Sequence, residues 1–409
     1  MSVNLCRISG KPLKKIIDFG MQPLGNGFIE EENFKNEYFF SMEVGFCETS
    51  KMFQLINQPE PERMFHDHYA FFSSTSNFME KHFKDFSNKI IQSEYLADDN
   101  PFVVELGCND GIMLKNFADS QIRHLGIEPS LNVAKEANKK GVRTCSEFFS
   151  EKLADKILAE EGLADAFIAA NVMCHIPNIL DVVKGIKKIL KPSGVVMFED
   201  PYLGDVISKT SYDQIYDEHV FLFSAHSIQY LFGLFDLELI DLEHQDTHGG
   251  SMRYILAHRG AYSPKESVKK IIDAEINQGL NSLATFENFK KNVEKSKIEL
   301  LSLLKELKAN GKKVFGYAAT SKSTTILNYC NIGQDLIECI VDTTPMKQNK
   351  FSPGMHIPIV PYQNFTDTPP DYAFLLAWNH FEEIMAKEKD YSANGGKWLT
   401  HVPQVKLIN

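Results

Sequence analysis

The chain has 409 residues, too many for one ordinary hydrophobic core and enough for two or three domains. Its 43% hydrophobic content excludes general disorder, and no window holds the ~18 uninterrupted apolar residues that a membrane-spanning helix needs. A net charge of -11 argues against broad contact with a phosphate backbone, so nucleic acid is not an expected partner, although one local diphosphate pocket is compatible with it. The start of the chain lacks a charged region followed by an apolar one, and the seven scattered cysteines suit reduced thiols rather than a disulfide framework. A cytoplasmic protein without membrane contact is expected; its oligomeric state is open, and a monomer is compatible with the sequence.

Residues 1–95 lack a long βα alternation and contain turn-rich, aromatic stretches such as Met21-Gln22-Pro23-Leu24-Gly25-Asn26-Gly27-Phe28, so they read as a small irregular domain. Two hooks stand out, Cys6-Arg7-Ile8-Ser9 and Cys47-Glu48-Thr49-Ser50. A pair of Cys-x-x-Cys hooks at this separation would signal structural zinc, but serine occupies the second position of each. Neutral hydroxyls are poor zinc ligands, so the expected metal content is none. His66 and His68 carry suitable nitrogens, yet nothing in their spacing assigns them to a metal. Downstream, residues 67–76, with Tyr69, Ser73 and Ser74 and followed by Met79 and His82, concentrate hydroxyls and aromatics in a loop leading to a helix. The serines suit helix caps as well as ligands, whereas a tyrosine with a pKa near ~10 can donate to a developing enolate oxygen without first ionising.

Residues 96–262 alternate strand and helix signals, as a mainly parallel sheet with covering helices requires. Val103-Val104-Glu105-Leu106 reads as a strand, Gly107-Cys108-Asn109-Asp110-Gly111 as a tight turn, and Ile112 onward as a helix. The dinucleotide fingerprint is absent, but bare backbone at a strand end points to a nucleotide-like cofactor. A second strand ends at Glu128-Pro129, ~20 residues on, which makes Glu128 the candidate ribose clamp. Further strands end at Asn171 and at Glu199-Asp200-Pro201-Tyr202, and a helix is expected over Ile179 to Leu190, with Pro192-Ser193-Gly194 as its stop signal.

The densest chemical set is Tyr212-Asp213-Gln214-Ile215-Tyr216-Asp217-Glu218-His219, close after the fourth strand. Histidine is the side chain that titrates nearest neutrality, so His219 beside carboxylates is a natural general base; the alternative is a structural histidine satisfied by a carbonyl. Thr247-His248-Gly249-Gly250-Ser251-Met252-Arg253 is either plain turn chemistry or a set of exposed NH groups for an anionic ligand.

Residues 263–310 become charged and helical in period, with Leu280, Leu283, Phe286, Phe289, Val293, Ile298, Leu301 and Leu304 as the expected buried stripe of a connector. Residues 311–409 return to strand and turn. Gly316-Tyr317-Ala318-Ala319-Thr320-Ser321-Lys322-Ser323 follows one strand, and Asp342 ends another, as in a Rossmann-like unit. The segment is not a Walker loop, but a diphosphate is compatible with that helix start.

Taken in order, the two hooks, the Gln22-Pro23-Leu24 turn, the Glu105 to Gly111 turn, Tyr216 with Glu218-His219, His248-Gly249-Gly250-Ser251 and Asn328-Tyr329-Cys330 resemble the nucleotide-sugar C-methyltransferases of branched-chain deoxysugar biosynthesis. The resemblance covers nearly the whole chain. It implies an α/β fold: a class I methyltransferase Rossmann-like doubly wound sheet between a small N-terminal zinc-binding-like domain and a C-terminal Rossmann-like substrate domain. It implies S-adenosylmethionine held by Glu105, Gly107, Cys108, Asn109, Asp110, Glu128, Pro129, Phe148 (or Phe149) and Asn171. It also implies a nucleotide-linked 4-keto-6-deoxyhexose met by Ser73, Ser74, Met79, His82, Tyr202, His248, Gly249, Ser251, Arg253, Tyr317, Thr320, Lys322 and Asn328. Catalysis would fall to His219, Glu218, Tyr216 and Tyr69, with methylation at C3 through an enolate. Ser9 and Ser50 depart from the family's cysteines, which puts the metal in doubt and leaves the methyl-transfer motifs intact. Methylation of oxygen or nitrogen, and a non-catalytic nucleotide-sugar binding protein, are the competing readings.

Overall fold

The computed structural model describes residues 4–64 and 77–408. His66, His68, Tyr69, Ser73 and Ser74 therefore lie outside the described residues. The strands are β1 (Lys14–Pro23), β2 (Phe39–Cys47), β3 (Met52–Leu55), β4 (Phe102–Leu106), β5 (Arg123–Ile127), β6 (Thr144–Cys145), β7 (Ala164–Ala170), β8 (Leu190–Pro201) and β9 (Phe221–Leu222). They continue as β10 (Leu237–Gln245), β11 (Ser251–His258), β12 (Val314–Tyr317), β13 (Ile340–Asp342), β14 (Ile359–Pro361), β15 (Tyr372–Leu375), β16 (Lys397–Thr400) and β17 (Lys406–Ile408).

The central sheet runs β10-β11-β8-β7-β4-β5-β6. β8, β7, β4, β5 and β6 are parallel, while β11 pairs antiparallel with both β8 and β10. Every residue of β4 is buried, as expected for a strand covered on both faces. The order reverses between β4 and β7, so the crevice beyond their carboxyl ends is the place where a doubly wound sheet binds its ligand. The helix Ile179–Ile189 covers one face with Ile179, Val182, Val183, Ile186 and Ile189, each contributing roughly 1.5–3 kcal/mol on burial. It ends within one residue of the expected Leu190. Leu190 is already extended, and a register shift opposite Ala164 to Ala166 absorbs the Pro192-Ser193-Gly194 stretch within β8.

The N-terminal region is more regular than expected. It forms a four-stranded antiparallel sheet, β1-β2-β3-β9, whose alternation is hidden by two register shifts in β1. Its last strand comes from the central region: Phe53 and Gln54 of β3 pair with Leu222 and Phe221, which lie just after His219. The helix Asn77–Ile91, in contrast, packs Phe83, Phe86 and Ile90 against Val103 and Ile112 of the central core.

The long helix Leu283–Ala309 buries Phe286, Phe289, Val293, Ser296, Leu300, Leu304 and Leu307. Ile298, expected in the stripe, is 68% exposed, because the seam continues through Ser296, a polar residue that hydropathy alone passes over. Phe46 and Phe53 stack on Phe286, and one apolar cluster joins the N-terminal sheet, this helix and the C-terminal region. That last region is a sheet of order β14-β13-β12-β15-β16-β17, parallel except for β17, which bears out the Rossmann-like expectation. No helix among the described residues is long and apolar enough to cross a membrane.

Candidate active site

At the carboxyl end of β4, Gly107 adopts φ +67°, and a Cβ there would lie 2.4 Å from Val172 Cγ2. Glycine is required on both counts. Burial, then the neighbouring Glu128 charge, hold the Glu105 carboxyl well above the usual carboxylate range. Glu128 accepts from Asn109 N at 3.1 Å and from Ser130 N at 2.9 Å; burial still leaves its pKa raised. Lys140 Nζ donates to Asp110 at 3.1 Å, and burial pushes up the Cys108 thiol. Asn171 sits at φ +55° with its N–H on Glu199 O. Phe149 turns inward against Phe167, whereas Phe148 is 54% exposed and so free to meet a ligand.

Glu105 Oε2 and Asn171 Oδ1 are buried without a hydrogen-bond partner among the described residues. Unsatisfied buried acceptors of this kind call for donors from a ligand. S-adenosylmethionine, with an ammonium group and a ribose diol, fits this donor deficit and the side-chain-free turn at Gly107.

Two residues before β9, His219 Nδ1–H donates to Gln214 O at 2.7 Å, which leaves the lone pair on Nε2, 3.0 Å from the Tyr216 hydroxyl. Burial first, then His175, hold the His219 pKa well below its ordinary value, so the ring is neutral and in its basic form. The His175 ring lies 5.2 Å away, its own pKa lowered by burial to about 4. Sequence reasoning missed His175. The usable signal was its place just beyond the end of β7, at the same edge that drew attention to Asn171.

Glu218 does not orient the His219 ring, since the Gln214 carbonyl occupies Nδ1. Its Oε1 accepts instead from Asn26 Nδ2 at 2.6 Å, and burial together with the Asp217 charge raises its pKa. Asp217 is also raised by burial, although Gly25 N donates to it at 2.9 Å.

The remaining candidates divide. His248, at φ +54°, receives Gln214 Nε2 on its carbonyl, and its buried Nε2 has no partner among the described residues. Gly249, at φ +89°, lies under Trp378, whose ring would be 2.2 Å from any added Cβ. Trp378 Nε1 donates to Asp213 at 2.6 Å, and Lys322 lies 4.6 Å over the same ring with Nζ bonded to Asn379. Burial lowers the Lys322 pKa to about 8, and its charge reaches both His219 and His248. The fold thus gathers Tyr216, Glu218, His219, His248, Gly249 and Lys322.

His82 and Arg253 are instead engaged by Glu199, at 2.8 and 2.9 Å, with Thr247 Oγ1 a third donor at 3.0 Å. Burial alone would raise the Glu199 pKa, but His82, Arg253 and Thr247 reverse this and hold it at about 2. Arg253 also stacks 3.6 Å from Phe86, Met79 is buried in the same core cluster, and Ser251 Oγ caps Thr247 O. Tyr202 donates to buried Glu275, and Tyr317 to Glu388. Thr320 caps the helix Ser321–Tyr329, and Asn328 bonds Thr324 O and Pro353 O. Each of these groups is bonded within the protein.

The four hook positions converge. Cys6 Sγ lies 3.2 Å from Ser50 Oγ, Cys47 Sγ lies 3.3 Å from Ser9 Oγ, and Gln54 Nε2 donates to Cys6 Sγ at 3.1 Å. Two thiols and two neutral hydroxyls do not fit a closed tetrahedral zinc site.

Residues 77–242 match the methyltransferase domain family, 246–403 the C-methyltransferase C-terminal domain, and 6–65 the family described as "Putative zinc binding domain". The C-methyltransferase NovU of Streptomyces niveus is 31% identical over 410 residues, covering 100% of this chain and 97% of that protein. Among solved structures, a SAM-dependent methyltransferase from Anabaena variabilis is 16% identical and matches with a TM-score of 0.36 over 45% of this chain and 86% of its own. The plantazolicin methyltransferase BpumL, solved with SAH, is 14% identical, with a TM-score of 0.36 over 46% of this chain and 89% of its own. By its full-length likeness to NovU, the chain belongs to the C-methyltransferase family, as an S-adenosylmethionine-dependent methyltransferase.

Proposed function

We propose that the protein methylates C3 of a nucleotide-linked 4-keto-6-deoxyhexose, with His219 as the general base. The observation that carries this reading is a neutral, buried imidazole whose Nδ1 is fixed on Gln214 O and whose Nε2 lone pair lies beside the Tyr216 hydroxyl. A ketone at C4 acidifies the proton on C3, and Nε2 is the atom that accepts it. Tyr216, with Tyr69 as a second candidate, donates to the enolate oxygen; Lys322 and His248 provide cationic and polar surface for the substrate's diphosphate. Bound S-adenosylmethionine supplies the electrophilic methyl group. Incubating the enzyme with this cofactor and a panel of nucleotide 4-ketosugars should yield a product heavier by one methyl group in mass spectrometry; a panel wholly unmodified would contradict the substrate class. The free thiols are consistent with a reducing, cytoplasmic setting.

The hook cluster is proposed to be metal-free, held by its crossed thiol–hydroxyl pairs. Elemental analysis of the purified protein is expected to give far less than one equivalent of zinc, and the Ser9→Cys/Ser50→Cys variant about one equivalent. Stoichiometric, chelator-resistant zinc in the unmodified protein would refute this.

A further inference from the structure

The turn at Leu24 to Phe28 of the N-terminal region is inserted between the base-bearing segment and the C-terminal region. It closes on itself through Gly27 N to Leu24 O, 3.0 Å, and Phe28 N to Asn26 O, 2.9 Å. Gly25 N donates to Asp217, and Gly25 O accepts from Thr324 Oγ1 at 3.0 Å. An added Cβ at Gly25 would stand 2.7 Å from Asp217 Oδ1 and 3.2 Å from Ser321 O, so the approach is as close as glycine allows. Asn26 then reaches both ways. Its Nδ2 donates to Glu218 Oε1 at 2.6 Å, and its Oδ1 accepts from Ser321 Oγ at 2.7 Å. Ser321 opens the helix that carries Lys322, and Glu218 precedes His219. One amide therefore joins three parts of the chain at the two sides of the site.

We infer that Asn26 is a positioning residue, a clasp that fixes Glu218 and ties the base-bearing segment to the Lys322 helix. Its significance for catalysis rests on the reading of His219 and Glu218 given above, but the clasp itself is tested without turnover. The chemistry favours an amide here. Glu218 is buried beside Asp217, so a carboxylate at position 26 would add repulsion, whereas a neutral N–H donor satisfies Glu218 without introducing charge. A second tie, Thr325 Oγ1 to Ile215 O at 2.7 Å, keeps the helix near the segment when the clasp opens, so the variants below should remain folded.

Asn26→Asp keeps the shape and the acceptor for Ser321, removes the donor to Glu218 and sets a second carboxylate against it. Hydrogen exchange of the full-length protein, read by mass spectrometry over residues 214–220, should accelerate at least about tenfold in Asn26→Asp and to a smaller degree in Ser321→Ala. Adding Glu218→Gln to Asn26→Asp exchanges donor and acceptor across the same contact, and this pair should return the segment to its original protection. With the proposed substrate, Asn26→Asp should lower kcat while the Kd for S-adenosylmethionine stays unchanged. Unchanged exchange over 214–220 in Asn26→Asp, or no recovery on adding Glu218→Gln, would overturn the clasp. Exchange that behaves as expected in an enzyme inactive on every 4-ketosugar would keep the clasp and remove the substrate reading instead.

Discussion

His219→Asn is expected to lower turnover by about 10²–10⁴-fold while the Kd for S-adenosylmethionine, measured by calorimetry, stays within error of the parent enzyme. Asparagine can still reach the Gln214 carbonyl, so the segment leading into β9 stays in place, but no lone pair of comparable basicity remains where Nε2 stood. The pH dependence follows from the direction of the shift. Burial and His175 depress the His219 pKa, so the base remains unprotonated as pH falls through its ordinary value of about 6.5, and the unmodified enzyme's rate should fall only well below that point. Near-normal turnover in His219→Asn would remove this residue as the base. Loss of cofactor binding in the same variant would make the histidine structural.

Gly107→Ala is expected to weaken S-adenosylmethionine binding at least about a hundredfold, as read by the same calorimetry. Two costs coincide. An alanine at φ +67° carries about 1–2 kcal/mol of backbone strain, and its Cβ overlaps Val172 Cγ2 at 2.4 Å. Relief of either cost moves the backbone between β4 and Asn171, the turn proposed to hold the cofactor. Adding Val172→Ala removes the overlap but not the strain, so the double variant should recover part of the affinity. Full affinity in Gly107→Ala would show that the turn does not touch the cofactor.

The sequence was most informative where local pattern and chemistry coincide. Glu105, Gly107, Glu128 and Asn171 all lie at strand ends, so strand recognition alone placed them on one edge. The Rossmann-like pattern ending at Asp342 was legible for the same reason, although the structure shows that its carboxylate is taken by Ala319 N and Thr344 N. Long-range pairing was not legible. Nothing local indicates that Phe221 and Leu222 complete the N-terminal sheet, and two register shifts conceal the alternation of β1. Glu218, adjacent to His219, was open in the sequence to orienting the ring or binding a sugar hydroxyl; adjacent side chains diverge, and the ring bonds a carbonyl five residues back while the carboxyl bonds Asn26. His82 and Arg253, which the resemblance places among the substrate-binding residues, both bond the buried Glu199, a long-range pairing that no local pattern indicates.

Carbon methylation through an enolate formed by His219, as proposed, is read out with a nucleotide-linked 4-keto-6-deoxyhexose bearing deuterium at C3. Mass spectrometry of the product after incubation with S-adenosylmethionine should show one methyl group gained and the C3 deuterium lost, with both changes suppressed in His219→Asn. A methylated product that retains the C3 deuterium would place the methyl group on oxygen or at another carbon and rule out C3 as the site of methylation.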